Sequence, residues 1–395
     1  MEKKLSDSVR LSSADAYRGF VMLLMMAEVL HFHQVAENLP ESTFWAFLGF
    51  HQSHVEWVGC SLHDLIQPSF SFLVGVVLPY SVANRLAKGS SFQQLFIHAI
   101  WRSLVLIFLG IFLRSQYSKM TNFTFEDTLT QIGLGYTFLF LLGFQATKFQ
   151  ILALALILVG YFTAFALFPL PTADFDYTQV GVPPNWEHHL QGFAAHWNKN
   201  SNLAWWFDTW FLNLFPRESP FLYNGGGYAT LSFIPTLGTM ILGLLAGNIL
   251  KSKRFSKEKI RLFLLCGISG LAFGWFLDTL GICPNVKRIW TPTWVIFSGG
   301  WCFLLLAFFY FVIDVWQKKQ WAFPLLVIGT NSIAAYVIAE TMVGYIRKML
   351  LIHFGENFPY IIGEAYAPLV LGGAVLLVEW LFLLWLYRKK IFIKI

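Results

Sequence analysis

The stretch FQILALALILVGYFTAFALF, residues Phe149–Phe168, runs for twenty residues without a charge. A hydrocarbon core about 30 Å thick needs about 20 apolar residues of helix, so this stretch by itself reads as a membrane span. Runs of the same kind recur on either side of it, at Arg18–Val35, Leu65–Ala83, Gln93–Leu113, Leu129–Ala146, Ala229–Leu250, Arg261–Leu280, Thr293–Ile313, Phe323–Val343 and Ala367–Tyr387. The expected fold is therefore all-α: a polytopic membrane protein with about ten transmembrane helices and both termini on one side. Composition agrees. Of 395 residues 56% are apolar, 18% aromatic and only 13% charged, whereas a water-soluble domain carries about 25% charged residues.

The net charge of +6 would suggest nucleic acid if the cations were clustered without regard to the spans. They are not. With the N-terminus inside, nineteen of the 28 Lys and Arg fall on the cytoplasmic side: Lys3, Lys4, Arg10, Arg18, Arg85, Lys88, Lys148, the run Lys251–Arg261, Lys318, Lys319, Arg388, Lys389, Lys390 and Lys394. Eight fall outside and Arg102 lies within the third span. Cationic loops resist translocation, so the count supports N-in and C-in, with lipid and not nucleic acid as the large partner. Lys3 and Lys4 before the first apolar run imitate a signal peptide, but no small-residue cleavage site follows, and that span is expected to be retained. One domain, 1–395, is expected, with a long external loop at 169–228.

Ionisable groups within spans are costly and mark function by default. Five of ten histidines, His31, His33, His51, His54 and His63, sit in the first 65 residues with Glu28, Glu56 and Asp64, all at the external mouth of the first two spans. The plain alternative is that loop histidines at a headgroup boundary are merely solvated. A zinc site is disfavoured because no pair has HxxxH spacing and His31 and His33 point to different helix faces. The four cysteines show no paired metal spacing and no disulfide framework.

The stretches Ser13-Ala14-Asp15-Ala16-Tyr17-Arg18-Gly19, His54-Val55-Glu56-Trp57-Val58-Gly59 and Asp64-Leu65-Ile66-Gln67-Pro68-Ser69-Phe70 resemble the heparan-α-glucosaminide N-acetyltransferase family, in its bacterial branch. Later segments agree: Leu242–Gly247, Trp290-Thr291-Pro292-Thr293-Trp294 with Gly299-Gly300, and Gly329-Thr330-Asn331-Ser332 before Tyr336. The resemblance implies an acetyl-CoA-dependent amino-sugar acetyltransferase of the bacterial inner membrane, without a metal. Acetyl-CoA would enter from the cytoplasm, the amine acceptor would stand outside, a histidine would be catalytic, and a homodimer would be possible. The family histidine maps to His54. Where lysosomal relatives carry an asparagine near the end of the first helix, this chain has Val29 beside Glu28, which makes Glu28 a candidate substitute. The extra N-terminal span and lumenal domain of those relatives are expected to be missing here.

Acetyl transfer to an amine needs a proton acceptor that works near neutral pH, and an imidazole is one. His54 could take the proton directly or carry the acetyl group as an acetyl-imidazole; the sequence leaves both open. Asp64 would orient the histidine or hold the sugar ammonium, its alternative being a helix cap. Glu28 could serve in either role, and Glu56, Trp57 and His31 are the candidate acceptor contacts. Acetyl-CoA is anionic, so Arg18 and Arg102 are candidates for its phosphates. Asn331, a polar residue within the ninth span, would be satisfied by the cosubstrate or by a neighbouring helix. Trp186, Trp197, Trp205, Trp206 and Trp210 of the long loop suit a sugar ring but equally a membrane interface.

Two rivals remain. Arg18-Gly19 followed by a histidine also resembles the envelope sugar O-acyltransferases, though His31 comes two residues late for that pattern. A transporter of N-acetylglucosamine is the other, against which stand the lack of recognisable inverted halves and a histidine cluster at one surface. The topology itself is testable: a reporter fused after Lys253 should be cytoplasmic and one beside Trp197 external, and finding both on one side would overturn the ten-span reading.

Overall fold

The computed structural model describes residues 11–393; Lys3, Lys4, Arg10 and Lys394, counted above as cytoplasmic cations, lie outside them. The protein is 71% helical, with no strand among the described residues, and one isolated antiparallel bridge pairs Val58 with Val286. All ten expected segments are helical. Among the described residues eight helices are long and apolar enough to cross a bilayer, from Ser12–Asn38 to Glu364–Arg388. A ninth segment is a pair, Gln320–Gly329 and Ser332–Thr341, bent by 69°. The tenth, Thr128–Gly143, is apolar but only 16 residues long. Its start is set by Asp127, whose Oδ1 accepts the N–H groups of Leu129 and Thr130, the usual closure of orphan donors at a helix N-terminus.

The described chain divides into two compact units. The larger comprises Glu56–Gly59 and Phe70–Ala307, and its centre is helix Phe233–Lys251, the most buried of the candidate spans. That helix packs on Thr128–Gly143, on Thr147–Ala166 and on the stretch from residue 70 to 87. A Cβ at Gly243 would run into the backbone carbonyl of Phe72. With no hydrophobic drive between helices in lipid, such small-residue contacts are how they approach closely enough to pack. The segment from residue 169 to 228 also belongs here. It is held by a run of buried amides: Asn198 bonds both ways with the Leu190 backbone, Asn200 donates to the Val180 and Asn224 carbonyls, and Asn202 caps helix Leu203–Phe211.

The smaller unit comprises Leu11–Val55, Cys60–Ser69 and Phe308–Ile395. Helix Ser12–Met26 packs on both arms of the bent pair, and Tyr17 donates its hydroxyl to Ser69 at 2.9 Å. Two spans that the hydropathy suggests are unbroken are in fact interrupted. The first stops at Met26, tightens into a 3-10 turn over Ala27–Leu30, passes through His31 in the left-handed region (φ 49°) and resumes as Phe32–Asn38. The ninth breaks at Asn331, whose amide donates to the Ile391 carbonyl (2.8 Å) and accepts the Ile393 N–H (3.0 Å). Helix Ala367–Arg388 seats on the first break through Gly372, where a Cβ would enter the space of the Val29 carbonyl.

Because that contact is backbone against backbone, neither partner can rotate away, and overpacking should cost about 1–3 kcal/mol or more. Gly372→Val is expected to lower the thermal midpoint of the detergent-solubilised protein by several degrees. Gly344→Ala, where the added carbon meets open space, should leave it level or raise it slightly; equal behaviour of the two variants would refute the seating.

Candidate active site

The break in the first span exposes peptide groups that have no helical partner, and in an apolar setting each such group costs several kcal/mol. Gln52, the last residue of helix Thr43–Gln52, answers both. Its Oε1 accepts the Phe32 N–H and its Nε2 donates to the Ala27 carbonyl, each at 2.6 Å. The clamp holds Glu28 and His31 at the edge of a cavity of about 520 Å³. His33, His54, His63 and Glu340 also line it. Sequence reasoning found Glu28, His31 and His54 but missed Gln52, Glu340 and the part played by His63. Only Glu340, a carboxylate at the end of an apolar run, left a signal that could have been read.

His54 stands on the turn between helix Thr43–Gln52 and the 3-10 turn His63–Leu65. Its Nδ1 lies 2.8 Å from Asp64 Oδ1. A carboxylate only accepts, so Nδ1 carries the proton, and in the neutral ring Nε2 is then the acceptor nitrogen. Asp64 is fully buried, and its second oxygen accepts the N–H groups of Val55 (3.2 Å) and Ser61 (3.0 Å). The Ser61 hydroxyl ties the same turn to the Ser53 carbonyl at 2.6 Å. Half-exposed His54 is thus aimed by a carboxylate that is itself fixed from three directions. Beside it, His63 is buried and bonds Glu28 Oε1 through Nε2 at 2.8 Å, while Glu28 is 55% exposed. The two imidazoles lie 4.5 Å apart, tilted by 56°.

The remaining candidates are distributed between the units. Arg18, in the smaller unit, pairs with Asp15 at 3.2 Å and keeps partial exposure. Asn331 commits its amide to the C-terminal backbone as described above. In the larger unit, the Arg102 guanidinium stacks over the Tyr136 ring (4.5 Å) and donates to its hydroxyl (3.1 Å), while its Nε has no hydrogen-bond partner among the described residues. Trp57 is fully buried and donates its indole N–H to the Trp197 carbonyl, so it presents no open face. Glu56 accepts the Trp186 indole N–H at 3.1 Å and lies 3.4 Å from His188 Nε2. Of the loop tryptophans, Trp206 and Trp210 are exposed and Trp197 is buried. No group of three or more metal-ligating side chains occurs among the described residues.

No protein-family model matches the chain. Against curated proteins it is 24% identical to the heparan-alpha-glucosaminide N-acetyltransferase of Homo sapiens, over 98% of this chain, and 23% identical to that of Mus musculus, over 100% of it. The likeness to these two enzymes runs along nearly the whole of this chain. The chain spans 60% and 62% of the length of those two proteins.

Away from the cavity, the protein carries a second buried carboxylate, Asp208, on helix Leu203–Phe211 of the long loop. One oxygen accepts the Thr230 N–H at 2.9 Å and the other has no hydrogen-bond partner among the described residues. Burial pushes its carboxyl up to about 7. Between about pH 4 and pH 7 the unfolded chain releases this proton while the folded chain keeps it, so stability falls as pH rises through that window, by an amount of order a few kcal/mol. Unfolding measured in detergent at pH 5 and pH 8 should show the loss, and Asp208→Asn should remove it; a variant with the wild-type pH dependence would refute the assignment.

Proposed function

We propose that the protein transfers the acetyl group of acetyl-CoA to the amino group of glucosamine or a glucosamine-containing sugar, the cosubstrate arriving from the cytoplasm and the sugar from the other face of the bacterial inner membrane. The observation that carries this reading is His54, oriented by a buried Asp64 at the edge of an open polar cavity, in a chain similar along its whole length to enzymes named for acetylating a glucosaminide nitrogen. The sugar amine attacks the thioester carbonyl, and His54 Nε2 takes the proton that the nitrogen sheds as the N–C bond forms. The resulting imidazolium is stabilised by Asp64 and returns the proton to the departing sulfur as the C–S bond breaks. His31 and Glu28, on the same cavity wall, contact the sugar.

The nucleotide end of acetyl-CoA needs fixed cations. Arg18, a partly exposed guanidinium near the start of helix Ser12–Met26, would bind phosphate; Arg102, with an unpaired Nε beside an aromatic face, has the chemistry for the same task. Asn331, its amide already engaged, serves this reading by bending the ninth span.

His54→Ala should lower the release of free CoA thiol from acetyl-CoA and glucosamine by about 10²–10⁴-fold, the usual worth of a general base, while acetyl-CoA still binds. His353→Ala, an exposed histidine outside the cavity, should match wild type. Near wild-type thiol release from His54→Ala would end the assignment.

A further inference from the structure

The cavity contains two histidine–carboxylate pairs of opposite sense. In one the carboxylate is buried and the imidazole is presented: Asp64 behind His54. In the other the imidazole is buried and the carboxylate is presented: His63 behind Glu28. A buried imidazole whose N–H is spent on an exposed carboxylate acts on that carboxylate as Asp64 acts on His54, fixing its direction. The formal charges that line the cavity are both negative, Glu28 and Glu340; its other polar groups are histidines, amides and the Ser53 hydroxyl, and neither Lys nor Arg is among the described lining residues.

Such a cavity favours a cation over a neutral hydroxyl. We propose that Glu28, positioned by His63, recognises the acceptor as an ammonium and accepts its first proton, and so makes the site selective for amines. The inference rests on the acetyl-transfer reading and completes its proton balance. A sugar amine at neutral pH is largely R–NH3+. It must lose one proton before it can attack and a second as the N–C bond forms. The second returns to the CoA sulfur through His54, so one proton is released per turnover. Glu28 touches the reacting nitrogen and opens to solvent, so it takes the first proton and passes it to water. His63 is a positioning residue.

The test uses the full chain in detergent and two probes, glucosamine and glucose, which differ by an amine in place of a hydroxyl. By calorimetry at pH 6.5, wild type should bind glucosamine at least about 10-fold more tightly than glucose, as one charge-assisted hydrogen bond would give, and Glu28→Gln should lose that preference. In thiol release, Glu28→Gln should be most impaired at pH 6.5 and recover toward pH 8.5, where solution has already deprotonated an amine that titrates near about 8. His63→Gln should weaken both effects in the same direction, and it carries the test if Glu28→Gln fails to fold. An unchanged preference for glucosamine in both variants, or a loss equal at every pH, would overturn the role of Glu28. Wild type that prefers glucosamine but releases no thiol would instead overturn the acetyl-transfer reading and leave Glu28 as an ammonium-binding group.

Discussion

Everything distinctive in the smaller unit follows from one constraint: a helix broken inside an apolar environment must find other partners for its peptide groups. At Ala27–His31 the partner is a single side chain. An amide has a donor and an acceptor in the same geometry as the peptide bond it replaces, and Gln52 offers both, one to each lip of the break. Gly372 then lets the last span close over the turn. The 3-10 turn and the left-handed His31 are thereby made tolerable, and Glu28 and His31, both on this break, line the cavity. The strain in the backbone and the chemistry of the wall have a common origin, as is usual where sparsely populated conformations persist.

Upon that frame the choice of charges is economical. Removing Asp64 from water is costly, and the cost is offset by an imidazole and two backbone N–H groups around its two oxygens. A carboxylate so surrounded has little freedom to rotate, and it fixes the His54 ring in turn. Glu28 is in the reverse position, solvated at one end and anchored by His63 at the other. A single imidazole among solvated carboxylates could neither be aimed nor kept in one tautomer.

Much of this was legible in the sequence, and the part that was not has a physical reason. The ten apolar runs are helical over most of their length, because a long apolar stretch leaves the backbone few other solutions in lipid. Hydropathy sums over residues, however, and an interruption of four or five residues hardly changes the sum; the breaks at His31 and Asn331 were therefore invisible. Histidines and carboxylates announced the cavity by being expensive where they stood, and His54 with Asp64 could be picked out together. Gln52 could not. It is an uncharged residue at the end of a short apolar helix, 21 residues after His31, and only the fold brings it to the break. Trp57, expected as an acceptor contact, is fully buried and bonds the Trp197 carbonyl within the larger unit, a placement that its position beside the histidine motif does not disclose.

The same device recurs at several other places where the chain leaves regular structure. Asn331 holds the C-terminal backbone, Asn198, Asn200 and Asn202 hold the long loop, and Gln150 donates to the Leu142 and Gln145 carbonyls at and just beyond the end of helix Thr128–Gly143. Amides satisfy peptides without bringing a charge into the interior, so irregular backbone is held at a far lower desolvation cost than carboxylates or ammonium groups would impose. The consequence is a division of labour among polar residues. With the backbone answered by amides, the ionisable groups of the cavity are free to answer one another, and histidine–carboxylate pairs oriented in this way have proton transfer as their natural chemistry.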